Sequence, residues 1–113
     1  MLLNSTTTLP DGARLRVRLP QAIDRAGLRA LHERLGLHLE DLDIARVLRF
    51  DPRAVTVGCA SVWDGATETV VGYGAIYPHA EDPHLLVCDE AAAPGVRDAL
   101  TDALREHGAS RAA

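Results

Sequence analysis

Residues 55–77 read Val-Thr-Val-Gly-Cys-Ala-Ser-Val-Trp-Asp-Gly-Ala-Thr-Glu-Thr-Val-Val-Gly-Tyr-Gly-Ala-Ile-Tyr, and this stretch decides the fold class. Val55 to Val62 is rich in Val, Cys and Ala and reads as a buried strand. Asp64-Gly65 is the strongest short-range hairpin signal in the chain. Thr67 to Tyr77 is then the return strand, with Gly72 and Gly74 marking a bulge or a close backbone approach. A hairpin at mid-chain, with helical periodicity on both sides, argues for α+β with a mainly antiparallel sheet.

Working upstream, Leu15, Val17 and Leu19 alternate with Arg14, Arg16 and Arg18, the pattern of a half-buried strand whose arginines face solvent. Pro20 ends it. Ile23, Leu28, Leu31 and Leu35 then form the apolar stripe of an amphipathic helix that closes near Gly36. Leu42, Ala45 and Leu48 predict a second, shorter helix, stopped by Asp51-Pro52. Downstream, Pro78 to Pro83 is a loop, and the wholly apolar run Leu85–Cys88 predicts a strand covered on both faces. Val96, Ala99, Leu100, Ala103 and Leu104 recur at helical spacing, with Gly108 as the expected stop. The expected order is βααβββα: a four-stranded, mainly antiparallel α+β sheet in one domain over residues 12–108. A flexible leader, 1–11, precedes it and a frayed tail, 109–113, follows.

The chain has 113 residues, 16 acidic against 12 basic, and every basic residue is Arg. A domain of this size buries enough surface for a core without staples. The mildly acidic balance and the lack of a basic block argue against nucleic acid and anionic membrane as partners. No apolar run is long enough to span a bilayer. Residues 1–10 lack a secretory pattern, and the two cysteines, Cys59 and Cys88, make no disulfide framework, so a cytoplasmic, reducing location is expected. Without Lys there is no Schiff base and no P-loop lysine.

Five histidines are present, with His79, His84 and Cys88 within ten residues, but no spacing matches a structural zinc site, so no metal is expected. His84 and Cys88 lie four apart, on one face if both are in a strand, yet the adjacent Asp89 and Glu90 oppose a thiolate. Asp89-Glu90, at a strand end before a helix, suits turn or capping duty better than acid–base work. Trp63, Tyr73 and Tyr77 read as core or interface aromatics. Asp102 and Arg105 form an i,i+3 pair on the polar face of the last helix.

Several of these stretches together resemble the GNAT N-acetyltransferase superfamily. Leu15-Arg16-Val17-Arg18 with Ile23-Asp24-Arg25-Ala26-Gly27-Leu28-Arg29-Ala30-Leu31 is similar to the family's first strand and helix. Trp63-Asp64-Gly65 with Val70-Val71-Gly72-Tyr73-Gly74 is similar to its second-to-third strand hairpin, and Leu86-Val87-Cys88-Asp89 to its fourth strand. The resemblance implies acetyl-CoA or another acyl-CoA as cofactor, held by the loop equivalent to Ala92, Ala93, Gly95, Val96 and Arg97, and a base in the region of Glu81 and Asp82. The departures are marked. The family's Q/R-x-x-G-x-G/A loop is here Ala92-Ala93-Pro94-Gly95-Val96-Arg97, in which Pro94 removes an N–H and Arg97 replaces a small residue. The family's later strands and helix have no counterpart, which would leave residues 84–88 as an open sheet edge to be covered by a homodimer mate or another partner chain. Three readings follow: a degenerate acyl-CoA-binding or non-catalytic dimerisation module, an active N-acetyltransferase completed across a dimer, or an unrelated α+β binding domain.

Overall fold

The computed structural model describes residues 3–37 and 46–112. Its element order is β1 (Asn4–Thr8), β2 (Arg14–Arg18), a 3-10 turn (Ala22–Asp24), α1 (Arg25–Leu35), β3 (Thr56–Asp64), β4 (Thr67–Ile76), β5 (Leu85–Cys88) and α2 (Val96–Ala112). The five strands form one sheet in the order β1-β2-β3-β4-β5, every pair antiparallel. The α+β class and the antiparallel sheet are as expected.

The fifth strand is β1. Residues 4–8, expected in a loose leader, pair with β2 from Asn4 opposite Arg18 to Thr8 opposite Arg14. Their run of polar residues carries no alternating signal, and their burial is slight. The hairpin is instead closed at its turn, where Leu9 N donates to Ala13 O, Gly12 N to Leu9 O, and Ala13 N to the Asp11 carboxylate. Leu3 and Leu9 are buried at its two ends.

Helices pack on both faces of the sheet. On one face α2 covers Leu15, Val17, Ala60, Val71 and Ile76 with Val96, Leu100, Ala103 and Leu104. On the other face α1 brings Leu28 and Leu31 onto Cys59, Val70 and Tyr73. Gly36, at φ +67, terminates α1, and Leu37 N closes back on His32 O. The second helix expected over 42–48 lies mostly outside the described residues, and its last part, 46–48, is helical. Helix α2 does not stop at Gly108. It runs on to Ala112, and a cost near 1 kcal/mol for Gly within a helix does not by itself end one.

The β3–β4 turn lies one residue later than Asp64-Gly65 suggests. Asp64 pairs with Thr67, so Gly65 and Ala66 are the loop, with Gly65 at φ +62 in the first central position that a II′ turn reserves for glycine. A bulge interrupts the ladder further on: Ser61 pairs with Val70 and Ala60 with Gly72, leaving Val71 without a partner. Gly72 and Gly74 serve the close approach. A Cβ on Gly74 would lie 2.8 Å from both Leu85 O and Leu86 Cδ2, and one on Gly72 would lie 3.0 Å from Val87 O.

The Gly74→Ala variant should lose about 1–3 kcal/mol of stability in urea unfolding through overpacking against β5. Gly65→Ala, which meets nothing within 4 Å, should lose only the left-handed backbone penalty of about 1–2 kcal/mol.

Candidate functional site

The loop from β5 to α2 spends its carboxylates on its own backbone. Asp89, buried, accepts from Ala92 N at 3.1 Å and from the Arg34 guanidinium at 3.0 Å, while its N–H donates to Val71 O. Arg34 also donates to Val70 O at 2.7 Å, so one arginine of α1 reads both the loop and the bulge. Glu90 reaches forward to the start of α2, where Gly95 N donates to one carboxylate oxygen at 2.8 Å and Arg97 N to the other at 2.9 Å. A charged group therefore already sits on the positive end of the helix. Gly95 adopts φ +93, and a Cβ there would lie 2.8 Å from Pro10 Cδ, so the β1–β2 turn packs onto the same loop.

The five residues expected to hold a cofactor have these places. Ala93 and Val96 are buried in the core under α2, and Ala92 and Arg97 are exposed. The N–H groups of Ala92, Gly95 and Arg97 take carboxylates of the chain itself, and that of Val96 takes Ala93 O. Glu81 and Asp82 are brought to α2. Arg105 donates to Glu81 O at 2.7 Å and pairs with the Asp82 carboxylate. Arg105 thus crosses to the 77–84 loop, where the sequence suggested an intrahelical partnership with Asp102.

The histidine–thiol pair does not assemble. His84 lies ahead of β5, its ring stacked on Tyr77 with centroids 3.8 Å apart and planes at 9°. Cys88 packs on the α2 side. Burial pushes the Cys88 thiol up to about 11, with Glu90 acting in the same direction and Arg97 against. Burial likewise pushes Cys59 up to about 12. Both are free thiols, on opposite faces of the sheet with β4 between their strands. Neither is a thiolate at neutral pH.

On the α1 face, Arg18 is not solvated but central to a polar seam. Both its terminal nitrogens bond the Asp24 carboxylate at 2.7 Å, and one also reaches Glu68 at 3.1 Å. Glu68 accepts from Ser61 Oγ at 2.5 Å, and Asp24 from Gln21 N at 2.7 Å. Burial alone would push the Asp24 carboxyl up; the guanidinium and the Gln21 N–H outweigh it and hold the carboxyl below its ordinary range. The hydrogen bonds from Arg18 to Asp24 drive the Arg18 pKa upward, against its own burial. Nearby, His32 Nε2 meets the Tyr73 hydroxyl at 2.8 Å.

A pocket opens on this face. It has a volume of about 300 Å³ and lies between residues 46–50 and strands β3 to β5. Its wall is apolar, made by Val47, Phe50, Val55, Val57, Ala75 and Leu85. Arg46, Tyr73 and His84 complete its lining, the Tyr73 hydroxyl being bonded to His32. Sequence reading missed it because its lining comes from four separate stretches, none of which carries a motif. Among the described residues no group of three or more metal-ligating side chains comes together, and no helix is long and apolar enough to cross a membrane. No protein-family model, curated protein or solved structure matches this chain.

Asp24→Asn should cost about 2 kcal/mol at pH 7 by removing one of the two countercharges of a part-buried guanidinium and leaving it with Glu68 alone. The folded carboxyl titrates below its unfolded value, so the pairing contributes fully above about pH 4 and is lost as pH falls through the lower, folded value. Urea unfolding from pH 7 to pH 2 should show the gap between wild type and Asp24→Asn closing on the acid side.

Proposed function

We propose that this chain is a non-catalytic module resembling the N-acetyltransferase fold, which binds partners but not acyl-CoA. The capping of α2 by Glu90 carries the reading. A pyrophosphate needs free N–H groups at a helix N-terminus, and here two of them hold a carboxylate. An entering phosphate would have to displace that carboxylate and overcome its repulsion. Pro94 offers no N–H, and Pro10 crowds the loop at Gly95. Of Glu81 and Asp82, the residues a base would come from, the Asp82 carboxylate is paired with Arg105, which takes only the backbone carbonyl of Glu81.

The partner in this reading is a second copy of the chain, bound at β5. With Asp89 N bonded to Val71 O, strand alternation turns the N–H groups of Leu86 and Cys88 away from β4. No described strand pairs with that edge. Leu85–Cys88 has no charge, proline or bulge, the features that natural edges use against pairing. Two copies related by a two-fold axis can join these edges antiparallel, with no like charges opposed along the strands.

Acetyl-CoA at millimolar concentration should leave the melting temperature unchanged. A bound ligand at a hundred times its dissociation constant would add ~2.7 kcal/mol, several degrees for a domain this size, and that outcome would sink the reading. Glu90→Ala should lose about 1 kcal/mol, as the loss of an N-terminal cap does. Sedimentation equilibrium should return twice the 12.1 kDa chain mass; a monomer at tens of micromolar would remove the edge-to-edge partner.

A further inference from the structure

We propose that the pocket beside β5 binds a small monocarboxylate with an apolar body. The inference deepens the reading of the chain as a binding module and stands on a different part of the molecule from the Glu90 cap. The wall described above is hydrocarbon and aromatic, so it favours a ligand whose bulk leaves water. Its volume of about 300 Å³ is that of about ten waters at liquid density, room for a short chain or a single ring with its substituents.

The polar groups decide the charge. Arg46 belongs to the helical segment and His84 to the residue before β5, and both line the same pocket. No acidic side chain lines it among the described residues. A guanidinium is a bidentate partner for a planar carboxylate, and an imidazole can donate one further hydrogen bond. The His84 ring stacks on Tyr77, which orients it beside the pocket. Tyr73 already exchanges a hydrogen bond with His32 through its hydroxyl, which leaves its ring as the surface for the apolar body. The single guanidinium among the described lining residues suits a monoanion; a phosphate dianion would call for more positive charge than these residues hold.

Isothermal titration calorimetry with octanoate and 3-phenylpropionate tests the proposal, with octylamine and octan-1-ol as matched controls. The expected result is saturable binding of both carboxylates, one per chain, at least tenfold tighter than either control. Arg46→Gln, at an exposed position, should weaken carboxylate binding about tenfold without changing the melting temperature of the free protein. Ala75→Leu, which fills the pocket from β4, should abolish it. No saturable binding at low-millimolar carboxylate, equal affinity for octylamine, or unchanged affinity in Arg46→Gln each overturns the proposal. The acetyl-CoA and sedimentation measurements are unaffected by any of these outcomes, so the module reading and the ligand assignment fail separately.

Discussion

Val71 has no partner across the β3–β4 ladder, and much of the molecule is arranged around that one irregularity. Beside the bulge, the carbonyls of Val70 and Val71 accept from other elements, the second of them in continuation of the β4–β5 ladder. Arg34 of α1 takes the first and Asp89, entering the β5–α2 loop, takes the second. Because Arg34 also holds the Asp89 carboxylate, the bulge, the first helix and the loop before the second helix are tied by a single guanidinium. The two glycines that follow, Gly72 and Gly74, then let β5 lie against β4 at backbone distance. An unpaired residue in a central strand would be a cost in isolation; here its exposed carbonyls are the acceptors that position the site.

The same economy governs the charges. Three carboxylates near the functional region, Asp24, Asp89 and Glu90, bond to backbone N–H groups, and two of them also hold an arginine. Carboxylates used in this way are committed as acceptors within the fold, which suits a structural role. The thiols are held neutral by burial. The apolar pocket, with Arg46 and His84 among its lining, lies apart from these carboxylates, at the β5 end of the α1 face. In the reading proposed above, self-capping closes the β5–α2 loop to a phosphate, and the ligand site is this pocket.

Much of the fold was legible in the chain. The alternation of Leu15 and Val17, the Val-rich hairpin arms and the spacing of Val96, Leu100 and Leu104 specify elements through periodicity alone, because each buries one face. Strand β1 was not legible, since Asn4-Ser-Thr-Thr-Thr8 has no apolar face and is held by its neighbour's backbone and by Leu3 and Leu9 outside it. The end of α2 was not legible either, since the helix continues through Gly108 to Ala112 and a lone glycine is a weak stop. Of the site, Asp89 and Glu90 were recognisable as turn and cap residues, but Arg18 and Arg105 were read as surface charges. An arginine in an alternating strand looks the same whether its outer face meets water or, as for Arg18, meets Asp24 and Glu68.

The sequence by itself determined the class of the fold, its antiparallel hairpin, its two framing helices and the exclusion of lysine chemistry, because these depend on residue type and local period. Only the tertiary structure decided which carboxylate meets which N–H, where the bulge falls, and that four distant stretches close around one apolar pocket. Those are matters of distance between residues far apart in the chain. Arg34 and Asp89 lie 55 positions from one another and 3.0 Å apart in space, a relation that no pattern of neighbours encodes.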